Sequence, residues 1–199
     1  LRATGQITLG VGVNITTASG DISLHANNGF STAASSGTTR GLISTTSGKI
    51  DINADADNNN TGTLDIDWLT INSGVGDVVI EAAAYNWNTG NSVYYPEIYG
   101  TGALTLRSST NSTNGLNTQW FGIAETRSAL TLGQPGSSAD MTFNACVNCH
   151  PNMLNYTGKT LSVNGPISIY AGDITVGSSF KSTLANAPVL LKAMGSVYL

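Results

Sequence analysis

The sequence predicts an all-β chain, a right-handed parallel β-helix (a β-solenoid) with irregular corner loops. Three observations point there. One short phrase recurs along most of the 199 residues. Each copy alternates apolar and polar residues with period two, and no segment sustains an i, i+3, i+4, i+7 apolar stripe. An alternating strand has one apolar face and cannot bury it alone, whereas stacked copies can.

The phrase is a turn residue, often glycine, one small or polar residue, then apolar–polar–apolar. In chain order it reads Gly5-Gln-Ile-Thr-Leu9, Gly20-Asp-Ile-Ser-Leu24, Gly48-Lys-Ile-Asp-Ile52, Gly62-Thr-Leu-Asp-Ile66 and Gly76-Asp-Val-Val-Ile80. It continues with Gly102-Ala-Leu-Thr-Leu106, Gly165-Pro-Ile-Ser-Ile169 and Gly172-Asp-Ile-Thr-Val176. Looser copies are Ser128-Ala-Leu-Thr-Leu132, Ala139-Asp-Met-Thr-Phe143 and Gly195-Ser-Val-Tyr-Leu199. Spacing is about 14 residues from 48 to 76, and about 26 at 76–102, 102–128 and 139–165. That unevenness predicts coils of two or three short strands, some phrases sharing a coil. Stacking is expected to place Ile7, Ile22, Ile50, Leu64 and Val78 in one continuous column. The glycine before each strand is read as turning the corner with positive φ. Stacked Asn side chains (Asn27, Asn28, Asn53, Asn58 to Asn60, Asn72) are expected to form interior ladders. An immunoglobulin-like sandwich or jelly roll also joins many short strands by frequent turns. Its Cys…Trp…Cys spacing and tyrosine corner are missing here.

Composition narrows the function classes. Only 10% of residues are charged, against about 25% in a typical soluble domain. Apolar residues reach 40%, which separates the chain from disordered sequences. Lys+Arg number 8 against Asp+Glu 12, so there is no basic field for nucleic acid or anionic lipid. No apolar run approaches the roughly 20 residues of a membrane span, and no membrane insertion is expected. The start, LRATGQITLG, lacks a basic-then-apolar signal layout. Both ends stop in or beside strand phrases, without the polar caps a solenoid needs. Residues 1–199 are therefore read as a single β-solenoid segment, part of a longer protein or a filament subunit.

The phrases GDISLHA, GKIDINA, GDVVIEAA, GPISIYAGDITVG and VLLKAMGSV resemble the repeats of filamentous-haemagglutinin-like bacterial exoproteins. The resemblance covers most of the chain. It implies a right-handed β-helix at the bacterial cell surface or in the extracellular space, used for adhesion or biofilm contact. The partners it implies are a host or neighbouring cell surface, a glycan, or copies of the chain end to end. It brings no catalytic residue. The amino-terminal secretion domain of that family, with its NPNG-like motifs, is absent, and the stretches 83–100 and 144–157 depart from the pattern.

The second departure holds the sharpest local motif, Cys146-Val-Asn-Cys149-His150. The C-x-x-C-H spacing fits covalent c-type haem attachment, with His150 as proximal ligand and Met141, Met153 or His25 available as distal ligand. Equally, Cys146 and Cys149 are the chain's only two cysteines, and a disulfide between them would staple the loop. Zinc would find three ligands and no evident fourth. Asp55, Asp57 and Asn59 match the first three positions of a calcium loop, but position six is Asn60 and position twelve Ile66. The same residues also suit a solvated corner. The stretch 83–100 concentrates Trp87, Tyr94, Tyr95 and Tyr99, either a platform for a partner or glycan or a long loop folding its rings onto the solenoid flank. Asp65 and Asp67, about 7 Å apart on one strand face, are the best carboxylate pair for a polysaccharide-degrading β-helix.

The sequence thus favours a structural and adhesive rod rather than an enzyme, with contacts presented by loops at 27–46, 83–100, 107–127 and 144–157. No cofactor is expected for such a rod, and the motifs leave c-type haem and calcium open. A haem-bearing electron-transfer module or filament and a polysaccharide-degrading enzyme are the alternatives.

Overall fold

The structure, a computed structural model, describes residues 1–33, 39–87, 95–109, 116–147 and 149–199. Parallel strands wind through about seven turns of a β-solenoid. Helix among the described residues is limited to one 3-10 turn, Thr118–Trp120.

Each coil carries three strand positions rather than two. The first builds a continuous eight-stranded parallel sheet: Arg2–Ala3, Ile22–Ala26, Ile50–Asn53, Val78–Ala82, Leu104–Ser108, Leu130–Leu132, Ile167–Ala171 and Val189–Ala193. The second position runs through Ile7–Leu9, Phe30–Thr32, Thr63–Asp65 and Ala84–Asn86. A separate sheet then takes it up with Leu116–Asn117, Met141–Phe143, Ile174–Val176 and Val197–Tyr198. The third holds Asn14–Thr17, Gly41–Thr45, Leu69–Asn72, Glu97–Tyr99 and Gly122–Ile123, then Leu161–Val163 paired with Phe180–Ser182.

Register turns alternation into columns. On the first face Ile22, Ile50, Val78, Leu104, Leu130, Ile167 and Val189 stack in line. Ile7 and Leu64 do not join them. They belong to a second column, Ile7–Phe30–Leu64–Tyr85, so the single column expected from sequence is two. The third face has its own ladder of five isoleucines, Ile15, Ile43, Ile71, Ile98 and Ile123. These columns meet in one continuous apolar core. Phrase spacing is now intelligible: Gly48 and Gly62 precede the first and second strands of one coil, Gly76 opens the next after the third strand Leu69–Asn72, and about 26 to 28 residues make a full coil. The 139–165 interval is different, because Met141–Phe143 lies on the second face and Ile167–Ala171 on the first.

The phrase glycines are needed for a different reason than expected. None of them has positive φ; among the described residues the positive-φ glycines are Gly12, Gly29, Gly74, Gly100, Gly133, Gly136 and Gly158. Their demand is for space. A Cβ on Gly48 would lie 2.1 Å from the carbonyl oxygen of Gly20, on Gly76 1.9 Å from that of Gly48, and on Gly102 2.0 Å from that of Gly76. The corners stack backbone on backbone.

The residue after the glycine has a matching role. The Asp21 carboxylate accepts the Lys49 amide of the next coil at 2.8 Å, and Asp77 accepts that of Ala103 at 2.8 Å. Asp140 takes the Asp173 amide at 2.9 Å, and Asp173 that of Ser196 at 2.7 Å. Charged acceptors shorten and strengthen such bonds at a position the strand ladder leaves open. The expected Asn ladders fail at Asn53, whose register partners are His25 and Glu81, and at Asn72, whose partners are Ser44 and Tyr99. Asn53, Asn59 and Asn72 each accept an amide two residues ahead in their own chain, closing local turns instead.

Candidate functional site

Regular stacking breaks on the outer side of the third face, around coils four to six. There the 144–157 loop leaves the second face after Met141–Phe143 and lies against Gly122–Ile123. Buried hydrogen bonds hold both its ends. The Thr118 hydroxyl donates to the Asn144 carbonyl at 2.6 Å, and the Asn144 amide donates back to that oxygen at 2.8 Å. Asn155 accepts the Ile123 amide at 2.9 Å and donates to the Phe121 carbonyl at 2.9 Å, while the Leu154 amide donates to the Ile123 carbonyl at 2.7 Å. Thr118 and Asn155 escaped sequence reasoning, since nothing local distinguishes them from the many other Asn and Thr residues.

Cys146 and Cys149 are joined by a disulfide, Cα atoms 5.6 Å apart. With Tyr95 and Met153 they make a second small hydrophobic cluster, edged by Tyr99, Trp120, Ala124 and Tyr156. Tyr95 meets Trp120 edge-on at 5.5 Å between ring centres. Gly122 permits the loop's approach: a Cβ there would lie 2.7 Å from Met153 Cγ and 3.3 Å from Cys149 Sγ. His150 is exposed, its Nδ1 accepting the Asn152 amide at 3.3 Å. Haem attachment through thioethers would require this disulfide to open. Of the distal ligands considered, Met153 lies in this cluster, Met141 in the main core, and His25 beside Asp51 at 3.5 Å.

The aromatic residues of 83–100 pack rather than present. Trp87 is 3% exposed, layered on Tyr85 at 5.4 Å and against Phe121 at 4.7 Å. Tyr95 is also 3% exposed. Neither ring offers a free stacking face, because Trp87 packs into the main core and Tyr95 into the disulfide cluster. Tyr94 lies outside the described residues. Tyr99 is half-buried and donates its hydroxyl to Glu97 at 3.2 Å. Glu97 in turn pairs with Arg40 at 2.7 Å, and the Arg40 guanidinium sits 5.9 Å over the Trp68 ring. Burial lowers the Arg40 pKa, opposed by Glu97. Burial first, then the Glu97 charge, raises that of Tyr99. The flank therefore combines a disulfide loop, packed aromatic rings and a partly desolvated ion pair.

Elsewhere the candidate ligands are already engaged. Asp55 is fully buried and accepts the amides of Asn60 at 3.1 Å and Gly62 at 3.4 Å, plus the Ser109 hydroxyl. Asp57 accepts from the Asn59 side chain at 2.9 Å, and Asn59 from the Thr61 amide at 3.0 Å. These oxygens organise their own turn. Asp65 ends the strand Thr63–Asp65 and is half-buried, while Asp67 lies beyond it, 2% exposed, its backbone held by the Thr32 hydroxyl at 2.8 Å.

No family model, curated protein or solved structure matches the chain.

Proposed function

We propose that this chain is a stiff, adhesive rod segment of a secreted bacterial surface protein, with contacts presented from its third-face flank. The observation that supports this reading is the asymmetry of the solenoid. The first face continues through eight strands, while the disulfide loop, the Tyr95–Trp120 pair and the Arg40–Glu97 pair are gathered on one side. Rigid scaffolds that carry built loops commonly place function in those loops. The phrases' resemblance to filamentous-haemagglutinin-like repeats agrees with an extracellular setting, as does a disulfide.

The test compares intact protein with a variant whose 144–157 loop is replaced by a short Gly/Ser link, scored for binding to cells and to immobilised glycans. Far-UV circular dichroism checks that the strands persist. Retained strands with lost binding support the reading; unchanged binding ends it. Intact mass with and without reductant accompanies the assay. A gain of two hydrogens on reduction identifies the staple, and a haem-sized increment surviving denaturation replaces the adhesive reading with electron transfer.

A further inference from the structure

Arg127 stands apart from every other basic side chain described. It is 1% exposed and is the largest side chain among those wholly buried. Its backbone forms an isolated parallel bridge with Val163, a fully buried core residue, and its carbonyl accepts the Asn164 amide at 2.7 Å. Bridge partners in parallel strands project to the same side, so the guanidinium enters the tube where Val163 does. None of its three nitrogens makes a hydrogen bond. The nearby carboxylate, Glu125, is exposed and accepts the Gly100 amide at 2.6 Å. A buried guanidinium without hydrogen-bonded counter-charge is strongly unfavourable, and an apolar residue at the same place would be better tolerated.

We infer that Arg127 marks a buried site for a small monovalent inorganic anion of halide size, enclosed between the fifth and sixth coils. Size follows from enclosure: a group 1% exposed has no route for a phosphate ester or an acidic peptide to reach it. Charge follows from the single guanidinium. Location fits as well, because the third-face sheet is interrupted between Gly122–Ile123 and Leu161–Val163, and on that face the Arg127–Val163 bridge stands in for strand pairing between the two coils. Burial pulls the Arg127 pKa down to about 10 from 12.5, the direction expected of a cation that a bound anion would restore.

The experiment is thermal and chemical unfolding of the whole chain in sodium bromide against sodium gluconate at equal ionic strength, with Arg127→Met alongside. Above saturation of the site, each tenfold rise in bromide should raise the wild-type folding equilibrium constant about tenfold. Arg127→Met should show no such response. Crystals of the wild type grown in bromide should show anomalous scattering within contact distance of the guanidinium, a measurement independent of whether Arg127→Met folds. Equal bromide response in both proteins, or ordered water alone beside Arg127, overturns the inference.

Discussion

Replacing Gly76 by alanine tests the backbone-on-backbone corner directly. The added methyl carbon would sit 1.9 Å from the Gly48 carbonyl oxygen. A side-chain carbon needs a little over 3 Å from such an atom, and neither element is a flexible side chain that could step aside. Coils must separate by about 1 Å. That displacement falls on the bonds clamping this corner to the coil before it: Ile50 amide to Asp77 carbonyl at 2.9 Å and Val75 to Thr46 at 3.0 Å. Stretching both beyond hydrogen-bond range, at about 1 kcal/mol each, gives a loss of about 2 kcal/mol. Gly5→Ala is the control, since nothing lies within 4 Å of its Cβ position. It should be neutral or stabilise by about 0.4–1 kcal/mol by restricting the unfolded chain. Guanidinium denaturation followed by circular dichroism measures both. Equal midpoints for the two variants would refute steric stacking as the reason for the phrase glycine.

Three further outcomes are expected. Converting Cys146 and Cys149 together to serine should cost about 2 kcal/mol by the loop-closure relation for so short a ring; the check is the unfolding midpoint and Trp120 fluorescence, and an unchanged midpoint would mean the cluster holds the loop alone. Asp55→Ala should lose about 2–3 kcal/mol, because it leaves the buried Gly62 amide and the half-buried Ser109 hydroxyl without their acceptor, whereas the exposed Asp57→Ala should stay within about 0.5 kcal/mol; denaturation of the pair separates an organising carboxylate from a solvated one. In Glu97→Gln the Tyr99 phenol should ionise at lower pH than in the wild type, read by phenolate absorbance. The sign follows from its raised pKa, since removing the Glu97 charge removes one of the two main causes, and an unmoved titration would contradict that coupling.

First-face strands were legible because the Gly-x-apolar-x-apolar phrase opens most of them, at Gly20, Gly48, Gly76, Gly102 and Gly165. The face of a given copy was not. Ile7 and Leu64 carry the same local pattern as Ile22 and Ile50, and only the chain length between corners sends them to a second column. The isoleucine ladder of the third face was hidden because Ile15, Ile43, Ile71, Ile98 and Ile123 follow no common turn residue. The glycine was read from its own freedom of φ, while its constraint lies in the carbonyl one coil below, which sequence does not display. At the flank, the aromatic residues were visible but their burial was not, because Trp87 is covered by Phe121, a residue one coil away. Arg127 gave no warning at all.

The carboxylates at the corners give the rod an arrow. Asp21, Asp77, Asp140 and Asp173 each receive an amide from the coil that follows, never from the coil before. A chain emerging amino terminus first thus meets acceptors already fixed in place, and every strand finds its partner among residues that have emerged already. Neighbour-only contacts let such a structure propagate without waiting for the remainder of the chain. Each coil that closes makes slipping backward costlier by the burial of one more layer of isoleucine and leucine. Folding of this kind works as a ratchet that advances one coil at a time toward the carboxyl end.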